Sequence, residues 1–160
     1  MALRIRTIRF NAWGCFADHT IEFAGPGMVD LIYGENATGK STTGRGMRSL
    51  LFGIDARTGD DHTYPYSELC IGACLLIDGE PLEVSRVKKL SAPLLDADRQ
   101  PITGDPILAG LGGLGEGVYR GLFHVDKETL DAGAEELLSG SGEVGESLFA
   151  AAAGIRGLHE

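Results

Sequence analysis

The stretch "YGENATGKSTT", Tyr33 to Thr43, constrains this chain more than any other feature. Gly34, Gly39, Lys40 and Ser41 fit G-x-x-x-x-G-K-[ST], a loop that joins a strand to a helix and cradles phosphate. The residue types follow from that task. Gly34 and Gly39 let the backbone turn tightly, so that successive N–H groups point inward. The helix beginning at Lys40 adds the partial positive charge of its N-terminus. Lys40 reaches the β- and γ-phosphates, and Ser41 ligates Mg²⁺. The loop demands an apolar strand before it and a helix after it. "MVDLIY" supplies the strand. The helix runs from Lys40 to Phe52, with Met47, Leu50 and Leu51 at core spacing and Gly53 as its stop. Gly44 and Gly46 stand inside that helix, each costing about 1 kcal/mol relative to Ala.

The rest of the chain alternates strand and loop, then turns helical. "LRIRTIRF" reads as a strand with one wet face and "HTIEFA" as a second, with a turn at Gly25–Gly27. Residues 55–67 are a polar loop. "LCIGACLLIDGEPLEVSRVKK" is a hairpin folded around Asp78-Gly79. "LLDADRQPITGDP" is a further turn and loop, "ILAGLGGLGEGVYRGLF" holds short helices, and a helix is expected over 127–138. A single α/β domain results: residues 1–53 carry strands, phosphate loop and first helix, 54–105 a loop and hairpin region, and 106–160 a helical region.

Composition bounds the rest. A hydrophobic fraction of 43% and a charged fraction of 23% are those of a globular protein. No apolar run approaches the roughly 18 residues of a membrane span, and the N-terminus has no h-region, so no membrane partner and a cytoplasmic location are expected. Cys15, Cys70 and Cys74 suggest neither a disulfide framework nor a finger-type metal site. The net charge is −9. Residues 58–160 hold seven Lys/Arg against eighteen Asp/Glu, a balance that repels nucleic acid.

The layout "IRFNAWGCFADHTIEFAGPGMVDLIYGENATGKST" resembles the N-terminal head segment of the structural-maintenance-of-chromosomes and SbcC group of ATPases. Asn36 sits at the Asn of their G-x-N-x-x-G-K-[ST] motif; Ala37 stands where Gly is more usual, and Glu35 where Pro is common. The ordered set "YGENATGKSTT", "LLFGI", "LCIGACLLIDG", "LFHVDKETLDAGAEELL" and "GEVGESLFAAAAGI" is similar to the bacterial YhaN-like family of SbcC-like coiled-coil ATPases. The resemblance implies a P-loop NTPase, the N-terminal lobe of an ABC/SMC-type head with a mixed sheet, antiparallel hairpins and flanking helices. It implies ATP and Mg²⁺ as cofactors, cradled by Gly34, Glu35, Asn36, Ala37, Thr38, Gly39, Lys40, Ser41 and Thr42, with Lys40 as the catalytic residue. Arg9 on the first strand either approaches the nucleotide or is an exposed charge on the wet face of the strand. Asp126 falls near the Q-loop Gln and joins Ser41 at the metal, caps the following helix with Glu128 or Thr129, or does both. Trp13 and Phe16 either stack on adenine or pack in the core. Arg45 and Arg48 read as solvated.

By the same resemblance the partners are a C-terminal head lobe or a second head in a homodimer, and a metal-dependent nuclease. DNA is reached only through the full assembly, in repair or processing. Hydrolysis needs a Walker B carboxylate and a signature segment. "CLLIDGE" imitates the first, but Asp78-Gly79 reads as a turn; "LSGSGE" imitates the second and reads as a polar loop. The C-terminal lobe and coiled coil are therefore expected to be absent from this chain. Two other readings stay open: a small-molecule kinase, needing a clustered-Arg lid where Arg86, Arg99 and Arg120 stand singly, and a nucleotide-binding module without hydrolysis.

Overall fold

A computed structural model describes residues 2–89, 93–124 and 130. The chain forms two compact units, Met1–Leu114 and Gly115–Glu160. In the first, β1 (Leu3–Trp13), β2 (Phe16–Glu22), β3 (Cys70–Ile77), β4 (Glu80–Val87) and β5 (Leu94–Leu95) form a sheet in the order β2-β1-β3-β4-β5. Helices α1 (Lys40–Phe52) and α2 (Pro106–Gly110) belong to the same unit.

Every pairing in the sheet is antiparallel, which corrects the expected mixed sheet. The strand expected before the loop, "MVDLIY", is not formed: residues 28–33 join no ladder. A strand is stabilised by its neighbours, and none of the described strands lies beside this run. The hairpin expectation holds: Ile77 pairs with Glu80, so Asp78 and Gly79 alone make the turn, with φ of 52° and 93°. Two left-handed residues match the twist of the flanking strands. Asp78 therefore belongs to a turn and not to the end of a catalytic strand.

One face of the sheet packs on α1. Ile8, Phe10, Trp13, Ile71, Leu75 and Val84 are buried with Leu50 and Leu51 of the helix. Gly46 explains how closely they approach: a Cβ there would lie 2.3 Å from Phe10 Cε1 and 2.9 Å from Trp13 Nε1. Phe10 and Trp13 share this face although they are three residues apart. The β1–β3 register shifts between Phe10 and Ala12, and on β2 Asp18 adopts φ 48° and accepts a 3.0 Å bond from Asn11 Nδ2. That local kink turns the end of the β1–β2 hairpin toward the helix.

Arg86 is 2% exposed and secures the far end of α1. Its Nε donates to the Leu50 carbonyl at 2.6 Å and its guanidinium pairs with Asp105 at 2.9 Å. Asp105 also caps α2, accepting from the N–H groups of Ile107 and Leu108, with Pro106 in the first turn. The second unit is described by α3 (Glu116–Leu122) and the residues just after it, where Tyr119 stacks with His124 at 5.9 Å. Asp126, Glu128, Thr129 and most of the helix expected over 127–138 lie outside the described residues, as does "LSGSGE".

Candidate functional site

The phosphate loop closes on itself at the N-terminus of α1. Gly39 is the N-cap, with φ 95°, and Ala37 two residues earlier has φ 65°. Left-handed residues alternating with ordinary ones curl the backbone so that its N–H groups converge on one point, an anion nest. The positive φ explains why Gly suits position 37; Ala there carries strain of roughly 1 kcal/mol. Within α1 the first main-chain bond runs from Thr43 N to Gly39 O, at 2.8 Å. The N–H groups of Lys40, Ser41 and Thr42 thus have no intrahelical acceptor and point toward the loop.

Lys40 spans the loop from its last residue to its first. Its Nζ donates to the carbonyls of Gly34 at 2.7 Å and Glu35 at 2.6 Å. An ammonium has three donors, so one remains for a phosphate oxygen. Thr38 Oγ1 donates to the Glu35 carbonyl at 2.9 Å, which braces the same turn. A Cβ on Gly34 would sit 2.7 Å from that hydroxyl. The side chains of Glu35, Asn36 and Ser41 are exposed. Thr42 differs: its side chain is buried, accepts from Arg45 at 3.1 Å and faces Gly14, so only its main chain is left for phosphate.

Two aromatic residues border the loop. A Cβ on Gly39 would meet Phe16 Cζ at 2.4 Å, so this ring lies against the backbone of the cradle. Phe16 stacks with Phe10 at 5.2 Å on one side and with exposed His19 at 4.9 Å on the other. Trp13, in contrast, is fully buried and serves the core.

Two features were hidden in the sequence. Arg45 makes a bidentate pair with Asp60, at 2.8 and 2.7 Å, and Asp60 is 2% exposed. The Asp60 carbonyl also accepts from Gly14 N at 2.9 Å. Arg48 pairs with Asp55 at 3.2 Å. Both arginines therefore tie the polar loop after α1 to the helix, and neither is simply solvated. Arg9 is not brought to the loop. It lies on the sheet face opposite Ile8 and Phe10, beside Thr20 and Gly72. Of the arginines a lid would need, Arg86 is committed to the end of α1 and Arg99 lines that same far face.

The donors present fit hydrated Mg²⁺. Ser41 offers an exposed hydroxyl beside the nest, and Mg²⁺ bound with nucleotide keeps waters and phosphate oxygens as most of its ligands. Among the described residues no group of three or more His, Cys, Asp or Glu could hold an ion by itself. No helix of the described residues is long and apolar enough to cross a membrane.

A nest at a helix N-terminus, closed by a lysine and set on a β-sheet, defines a P-loop nucleotide-binding domain of α/β build. The chain belongs to the AAA domain family: the family model so described matches residues 3–160. No curated protein matches it.

Proposed function

We propose that this chain is the ATP-binding N-terminal lobe of an SbcC- or SMC-like ATPase. In this reading ATP draws two heads together, in DNA repair or processing, with a metal-dependent nuclease as partner. The loop backbone and Lys40 hold the phosphates, Ser41 holds Mg²⁺, and Phe16 with His19 forms the platform nearest the base. Asp126 is the Q-loop residue of this proposal. The carboxylate that activates water comes from a second lobe.

One observation carries the need for that lobe. Met28, Val29, Leu31 and Tyr33, immediately before the loop, are 67%, 91%, 81% and 86% exposed. An apolar run in this position belongs inside a sheet, where its side chains are covered and its backbone groups paired. The strands of a complementary lobe supply both.

Calorimetry of ATP with Mg²⁺, wild type against Lys40→Ala, with phosphate release followed on the same samples, tests the proposal. Binding should fall roughly tenfold or more in the variant, as for a lost charge-assisted contact. The chain alone should show no steady turnover. Steady release abolished by Lys40→Ala would mean a complete enzyme and would overturn the divided site.

A further inference from the structure

The sheet face turned away from α1 holds a groove of about 260 Å³ whose lining includes no residue of the phosphate loop. Gly72 forms its floor. This glycine lies mid-strand in β3, pairs regularly with Arg9 and Ser85, and needs no left-handed backbone. No turn explains it; the register shift between Phe10 and Ala12 lies beside it and sets the Asn11 side chain over it. A Cβ there would sit 3.1 Å from Asn11 Oδ1 and 3.7 Å from Ser85 Oγ, within the groove itself. The missing side chain leaves the floor of the groove open between Arg9, Asn11 and Ser85.

Two arginines line this space. Arg9 makes a single long bond, Nε to Thr20 Oγ1 at 3.4 Å, and no carboxylate among the described residues pairs with it. Arg99 is exposed, likewise unpaired, and held at φ 60°. Its N–H closes the turn onto the Asp96 carbonyl at 3.0 Å, a position that Gly or Asn fills with less strain. An arginine at such a position serves something other than the turn. Of the acids in the lining, Asp96 is engaged by the Gln100 N–H at 2.8 Å, which leaves Glu83 as the free acceptor.

We propose that this groove is a second ligand site, independent of the phosphate loop, for a small phosphomonoester. Two guanidinium forks suit a dianion, which each can meet with paired N–H donors. The Ser85 hydroxyl donates to a phosphate oxygen, and Glu83 and the Asn11 amide oxygen accept from hydroxyls on the ligand's body. The volume lies below the range of about 300–1,000 Å³ usual for drug-sized ligands, so the occupant is small. Arg9 is thus a ligand for this site and not for the nucleotide.

Amide shifts of ¹⁵N-labelled protein, titrated with inorganic phosphate and separately with glycerol phosphate, test the assignment. Wild type and Lys40→Ala should both show saturable shifts at Gly72, Ser85 and Arg99. Tighter binding of glycerol phosphate identifies an organic phosphate as the ligand; equal binding identifies the free anion. Arg9→Gln and Arg99→Gly should each weaken binding about tenfold or more. Arg99→Gly relieves the left-handed strain, so its melting temperature should be unchanged or higher, and unfolding cannot account for the loss. Shifts confined to the Gly34–Thr42 amides and absent from Lys40→Ala would overturn the proposal. So would binding untouched by Arg99→Gly, or no saturation with either probe.

Discussion

The indole N–H of Trp13 donates to the main-chain carbonyl of Thr42 at 3.1 Å, fastening the end of β1 to the first turn of α1. This bond joins the sheet to the three residues whose N–H groups face the phosphate loop. It also requires the indole to lie directly on the helix backbone, which only a glycine at 46 permits.

Gly46→Ala should therefore destabilise the protein although Ala is the better helix former. Overpacking costs about 1–3 kcal/mol and the propensity gain returns about 1. A net loss of up to about 2 kcal/mol is expected, read in urea unfolding as a lower midpoint at unchanged slope. A gain in stability would show that Phe10 and Trp13 do not press on this helix.

Ala37→Gly should behave in the opposite way. Gly at an ordinary position costs about 0.5–1 kcal/mol, but residue 37 has φ 65°. Stability should stay level or rise by up to about 1 kcal/mol in the same unfolding assay. A clear loss would mean that the left-handed loop geometry is wrong.

Phe16→Ala tests the platform beside Gly39. Stacking of a base on an aromatic ring contributes about 1–3 kcal/mol, so ATP affinity should fall roughly five- to a hundredfold. Inorganic triphosphate, which has no base, should bind the variant as it binds wild type. Equal losses for both ligands would assign Phe16 to support of the loop alone.

Cys70 predicts an alkaline limit. Its thiol is pushed above the usual 9.0, chiefly by burial, with Asp18 adding to the rise while Arg99 and the bond to Ser85 oppose it. The folded chain keeps a proton that the unfolded chain releases, so stability falls as pH increases. This contribution is whole below about pH 9 and is lost as pH climbs through the folded value. Cys70→Ala should flatten the alkaline fall in urea midpoint; an unchanged profile would rule the thiol out.

What was legible in the sequence was local chemistry. Gly53 ends α1 where expected, with φ 113°, because a C-terminal glycine acts through its own backbone. The Asp78-Gly79 turn forms for the same reason. The strand before the loop failed because a strand depends on its neighbours more than on its own residues. Arg45 and Asp60, fifteen apart, meet only through the fold, so charge spacing along the helix carried no sign of their pair. Arg9, expected near the nucleotide, stands between buried Ile8 and Phe10, and the alternation of the strand turns it to the opposite face.

The uncovered run from Met28 to Tyr33 leads straight into Gly34, so whatever pairs with it also shapes the loop that follows. Coupling of this kind is reciprocal. If a partner strand raises nucleotide affinity by some factor, nucleotide raises affinity for the partner by the same factor. In the proposed two-lobe assembly the exposed run would then work as a thermodynamic lever: nucleotide concentration would set how much protein is assembled, and the degree of assembly how much nucleotide is held.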